Sequence, residues 1–145
     1  MTKEEKGQGL FEVVLALAVA ALIMVAIVAL ATVSIRNASF SRNQSLATRY
    51  AQEAVEWLRG ERDKDWDAFN AYAASGTWCL KELAFNDLGA CSQSEVIAGT
   101  NFRREATLTI IDSANIDTEV KVYWEDAQGI HEVKTITTFT DWREQ

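Results

Sequence analysis

Residues 6–19 read KGQGLFEVVLALAV and place one carboxylate, Glu12, at the lip of a long apolar run. From Val13 to Ile35 there are 23 residues without a charged side chain, and the run ends at Arg36. Ala, Leu, Val, Ile and Met fill it, with no glycine or proline inside. A helix of that length, rising about 1.5 Å per residue, spans roughly 35 Å, enough to cross the hydrocarbon core of a bilayer. A plain anchor needs neither an acid at its entrance nor Gly7 and Gly9 just ahead of it.

A cleaved secretory signal is one reading of the run, because Ala29-Leu30-Ala31 has the form of an A-x-A cleavage site. The leader argues against it. Lys3 and Lys6 are offset by Glu4 and Glu5, and the helical pattern does not stop at Ala31. A lasting helix is therefore expected. Basic residues on its two sides nearly balance, Lys3 and Lys6 against Arg36, Arg42 and Arg49. The larger, acidic, cysteine-bearing part is taken as the exported side.

Helical periodicity continues past the run. Phe40, Ala47, Tyr50, Ala51, Ala54 and Leu58 fall on one stripe at 100° per residue, with Arg42, Arg49, Gln52, Glu53, Glu56 and Arg59 opposite. Arg49 and Glu53 are spaced as an i,i+4 ion pair. Gly60 reads as the stop, followed by the charged stretch ERDKD. With no proline anywhere, one helix from Glu12 to Arg59 is expected, 48 residues that are apolar all round at first and amphipathic later.

The 145 residues then make one domain with an extension: a leader (1–7), a membrane-spanning half-helix (8–35), an amphipathic half-helix (36–60) and a globular part (61–145). Three strands are legible in that last part. ATLTII (106–111) alternates with Ala106, Leu108 and Ile110 inward, and EVKVYW (119–124) with Val120, Val122 and Trp124 inward. EDAQG (125–129) is a turn, and HEVKTITTF (131–139) is the third strand. An antiparallel meander of this kind needs a cover on one face, and the helix stripe is the available one. A short helix over 65–74 is also expected. The fold class is α+β.

The net charge of −7 is uneven. Residues 36–59 carry four Arg against two Glu, whereas residues 60–145 carry eight basic against sixteen acidic side chains. An acidic outer domain argues against nucleic acid as a partner. Arg103 and Arg104, the only adjacent basic pair, read as a solvated strand end. Cys79 and Cys91 both follow the apolar run, so export would put them in an oxidising compartment where a disulfide is the expected state.

Gly7-Gln8-Gly9-Leu10-Phe11-Glu12-Val13, with the apolar helix behind it, resembles the N-terminus of type IV pilins and type II secretion pseudopilins. In that family a charged leader ends in glycine, a prepilin peptidase cuts after it, and the fifth mature residue is Glu. The resemblance implies cleavage between Gly7 and Gln8, with Glu12 as the fifth mature residue and Leu10 at the small apolar position between. It also implies that Glu12 meets the new amine at Gln8 of a neighbouring subunit as a filament grows. Partners would be other pilin subunits, the prepilin peptidase, the assembly platform and motor, and membrane lipid before assembly. The subunit would wait in the cytoplasmic membrane and end in a cell-surface pilus.

Residue-level matching is confined to about the first 35 positions, although the order of helix, connecting region and sheet matches throughout. Two positions depart from the family pattern: Gln8 stands where an N-methylated Phe is usual, and the proline common in the membrane helix of major pilins is missing. Minor pilins and pseudopilins are the nearer match. Without the resemblance, Glu12 marks a membrane edge, and the competing function is a static single-span anchor with an outer binding or sensing domain.

Catalysis is not expected. Asp63-Lys64-Asp65-Trp66-Asp67 starts like a calcium loop, but Ala68 and Ala74 replace its glycine and its final acid, so a helix-capping turn is the better reading. His131 is the only histidine and follows a turn, which gives little support to a zinc site or a His-based dyad, and no phosphate-binding glycine loop occurs. Five tryptophans raise the idea of a sugar-binding surface, but Trp57 and Trp124 sit on core-compatible phases. No cofactor or metal is called for.

Overall fold

In the computed structural model α1 runs from Glu5 to Lys64, longer than expected at both ends. The structure describes the backbone of residues 5–142 and the side chains of residues 9–142. The chain divides into two compact units between Arg42 and Asn43, and α1 contributes to both.

Gly60 does not stop the helix, contrary to expectation. A glycine ends a helix by turning to positive φ, and Gly60 is not among the glycines that do so. Leu58 is fully buried, and Arg62 stacks 5.5 Å from the Phe139 ring centre, so packing carries the helix one turn further. The break comes at Asp65, whose extended backbone (φ −156°, ψ 107°) leaves α1 and caps α2 (Trp66–Ala73). The Asp65 carboxylate accepts the Ala68 N–H at 3.0 Å. The acid-rich turn is thus a capping turn, as read from sequence.

Five strands follow: β1 (Thr77–Cys79), β2 (Asp87–Leu88), β3 (Arg103–Asp112), β4 (Asn115–Asp126) and β5 (Gly129–Thr140). They form one antiparallel sheet in the order β2-β1-β3-β4-β5. β3 to β5 are the expected meander, while β1 and β2 are additions on its far side.

Ala47, Ala51, Ala54, Val55 and Leu58 of α1 are buried on this sheet, and Gln52, Glu53, Glu56 and Arg59 face solvent. The three alanines pay almost no side-chain entropy and present little bulk to the sheet. Large side chains fill the facing layer: Phe102, Leu108, Ile116, Val120, Val122, Trp124 and Phe139. α2 adds Phe69, which meets Phe139 edge-on at 5.6 Å. Along β4 the alternation holds throughout, with Ile116, Thr118, Val120, Val122 and Trp124 inward.

Ile110 departs from its expected inward place and is 43% exposed. β1 reaches only to Thr107 on β3, so beyond the Leu108 N–H bond to the Gly76 carbonyl (3.0 Å) β3 has no strand on that side. The register also shifts between Ile110 and Asp112. Trp57 and Trp66 are half-buried against the core, Trp78 and Trp124 are buried, and Trp142 is largely exposed. Packing thus accounts for four of the five indoles.

Candidate assembly surface and its cysteine-linked unit

In the unit through Arg42, α1 from Gly9 onward carries large apolar side chains on every side. Leu10, Phe11, Val13, Val14, Leu15 and Leu17 turn through the full circle and are all exposed, as are those up to Ile35. The helix from Gly9 is long and apolar enough to cross a membrane, and its most apolar window has no residue buried within the protein. Inside the run, the Thr32 hydroxyl donates to the Val28 carbonyl at 2.9 Å, which satisfies a polar group within the helix itself.

Glu12 is exposed on this surface. Among the described residues no ion pair or hydrogen bond to its carboxylate is found, and the next charge along the helix is Arg36. Leu10 is 72% exposed. A Cβ added at Gly9 would meet nothing within 4 Å, so crowding in this chain does not require the glycine. Gly7 and Gln8 lie ahead of Gly9 within the backbone of α1, and the Gln8 side chain is outside the described ones. The structure therefore sets Leu10 and Glu12 on the same bare helix end without bringing a partner to either.

Cys79 and Cys91 are bonded to each other, with their Cα atoms 4.9 Å apart. Cys79 ends β1 and Cys91 lies in the loop before β3, so the bond closes the segment that contains β2. A ring of this size contributes roughly 3 kcal/mol by restricting the unfolded chain.

Behind the bond lies a polar cluster that the sequence reading missed. Glu105, 5% exposed, accepts the Cys91 N–H at 2.9 Å and the Tyr123 hydroxyl at 2.5 Å, and pairs with Lys121 at 2.9 Å. Burial pushes its carboxyl up, but the bonds from Tyr123, Lys121 and the Cys91 N–H together hold it below the usual range. The Tyr123 hydroxyl is pushed up to about 12, by burial and by its bond to Glu105.

Arg104 is not the solvated strand end expected of it, being 2% exposed. Its Nε donates to the Leu80 carbonyl at 3.0 Å, and its Nη1 donates to Glu53 at 2.9 Å and the Tyr50 carbonyl at 3.2 Å. Burial holds the guanidinium below its ordinary value, opposed by Glu53. Glu53, spaced for Arg49, is held by Arg104 instead. The missed signal was period two: Arg104 shares the phase of Ala106 and Leu108. Arg103 points the other way and lies 4.5 Å over the Tyr123 ring.

Among the described residues no group of three or more potential metal ligands is found. The chain matches no protein-family model, no curated protein and no solved structure.

Proposed function

We propose that this chain is a structural subunit of a type IV pilus-like filament, a minor pilin, which works by assembly and not by catalysis. The observation that carries the proposal is the apolar helix bare on all sides with one acid, Glu12, at its start. Such a surface needs cover: lipid before assembly, the helices of other subunits after it. The disulfide fits an exported outer unit.

On this reading a prepilin peptidase cuts between Gly7 and Gln8 and makes a cationic amine four residues before Glu12. A carboxylate costs about 2.5–3.5 kcal/mol at the bilayer centre by insertion scales, so it gains from a partner. The amine of a neighbouring subunit supplies one, and a misregistered neighbour leaves the charge unpaired. The pair then sets the axial step of the filament. The assembly platform and motor draw the subunit from the cytoplasmic membrane to the surface.

The test is the mature N-terminus, determined by mass spectrometry on protein from the producing cell. Gln8 as the first residue supports the proposal. Met1 or Thr2 retained would overturn it in favour of a static anchor, and Thr32 in favour of a secreted protein. Separately, Glu12→Ala is expected to insert in the membrane normally yet fail to enter filaments; normal incorporation would sink the charge-pairing account.

A further inference from the structure

The two edges of the sheet differ. β2, at one edge, is two residues long, while β5, at the other, is twelve. The β4–β5 register is unbroken from Asn115↔Thr140 to Asp126↔Gly129, and β5 has no internal glycine, proline or bulge. Among the described residues, the backbone hydrogen bonds of Ile130 and of residues 132–137 run to β4. Proteins usually blunt such an edge by keeping it short, bulging it, or placing proline or charge on it. Here only charge is used, one acid and one base, Glu132 and Lys134, which repel a partner in most registers and not in all.

On the face away from the core β5 ends in Thr138 and Thr140; ahead of them come Ile130, Glu132, Lys134 and Ile136. They stand beside Glu125, Tyr123, Lys121 and Glu119 of β4. Ile130 and Ile136 are 68% and 69% exposed, and Glu132 and Lys134 are about half exposed. Their order is apolar, acid, base, apolar, which is self-complementary when reversed.

We infer that β5 pairs antiparallel with β5 of a second copy about a two-fold axis through Val133, joining two sheets edge to edge. In that register Glu132 faces Lys134 twice and Ile130 faces Ile136 twice, the opposite-charge and apolar pairs that stabilise neighbouring strands. An interface of this kind is isologous, with the same strand serving both sides.

Neighbouring registers are worse. Moving the axis to Glu132 sets Glu132 against Glu132, and moving it to Lys134 sets Lys134 against Lys134. Parallel in-register pairing makes both clashes at once. A slip that sums to an odd number turns outward side chains against inward ones. One arrangement is thus selected by charge and by face together. It uses only the unit from Asn43 onward and does not rest on the filament reading.

The test uses the full chain in mild detergent, with oligomeric state read by native mass spectrometry across a concentration series. Wild type is expected to form a dimer. Glu132→Lys should weaken it about tenfold, since symmetry introduces two like-charge pairs. Glu132→Lys combined with Lys134→Glu should restore it, because the pairs are then opposite again. In a second arm, an Ile130→Cys and an Ile136→Cys variant, mixed in native membranes and oxidised, should cross-link to each other. A monomeric wild type, equal dimerisation by all three charge forms, or Ile130→Cys alone cross-linking as well as the mixture would each overturn the inference.

Discussion

The Arg104 guanidinium lies 2.9 Å from the Glu53 carboxylate, joining strand β3 to α1 through a cation that is itself only 2% exposed. The two residues are 51 positions apart in sequence, and the same guanidinium also holds the Leu80 carbonyl. One side chain therefore fastens the helix, the sheet and the segment after β1.

Removing it should be costly in an asymmetric way. Arg104→Ala leaves a void and strips the Leu80 carbonyl of a donor, for an expected loss of about 2–3 kcal/mol. Glu53→Ala should cost about 1 kcal/mol, because Glu53 is half exposed and the cation keeps two carbonyls. Denaturant unfolding followed by tryptophan fluorescence checks this in the full chain, since all five tryptophans lie in the unit from Asn43 onward. Equal losses for the two variants would contradict the asymmetry.

Reduction of the Cys79–Cys91 bond should lower the stability of the same unit by roughly 3 kcal/mol. The Cys79→Ser, Cys91→Ser double variant should show the same loss and no further response to reductant. Midpoints of thermal or denaturant unfolding with and without reductant are the measurement. An unchanged midpoint for the reduced wild type would mean that the native contacts already fix the loop.

Glu105 and Tyr123 set opposite ends of a pH profile. The Glu105 carboxyl is lowered in the folded state, so its contribution is present above the ordinary carboxyl range and fades as pH falls through the folded value. Tyr123 is raised to about 12, so its contribution is complete below the unfolded value near pH 10 and is lost as pH rises toward about 12. Glu105→Gln should flatten the acid limb of a stability–pH curve, and Tyr123→Phe the alkaline limb. A profile unchanged by either would remove the cluster from the account.

Leu22 sits mid-run on the bare part of α1 and is 71% exposed. Leu22→Lys should raise the cost of membrane insertion by about 2.5–3.5 kcal/mol and reduce the membrane-integrated fraction after alkaline extraction. Leu22→Ile should change nothing measurable. Full integration of the lysine variant would show that the helix does not cross the hydrocarbon core there.

What could be read from the sequence depended on how long each pattern ran. Ala47 to Leu58 repeats over several turns, and Val120 to Trp124 alternates cleanly, so the helix face and β4 were both legible. β1 and β2 span three and two residues, too short for any periodicity to emerge, and they are held by pairing with β3 and by the cysteine bond. Gly60 misled because its composition signals a stop whereas the packing of Leu58 and Arg62 decides otherwise. Arg104 misled because a charged side chain was read by type and not by the phase of its strand. At the N-terminus the residues of interest were legible as a motif, but their partners belong to other molecules.

The position of Leu80 carries a consequence for the reduced chain. It follows Cys79 directly, and its carbonyl is one of the acceptors that hold Arg104. The Leu80 N–H also donates to the Arg104 carbonyl at 2.8 Å, so the disulfide and the β1–β3 pairing hold that acceptor jointly. Free thiols should therefore loosen the hold of the helix rather than abolish it, read as faster proteolysis near Tyr50 in the reduced chain than in the oxidised one; equal cleavage would show that strand pairing alone fixes the acceptor.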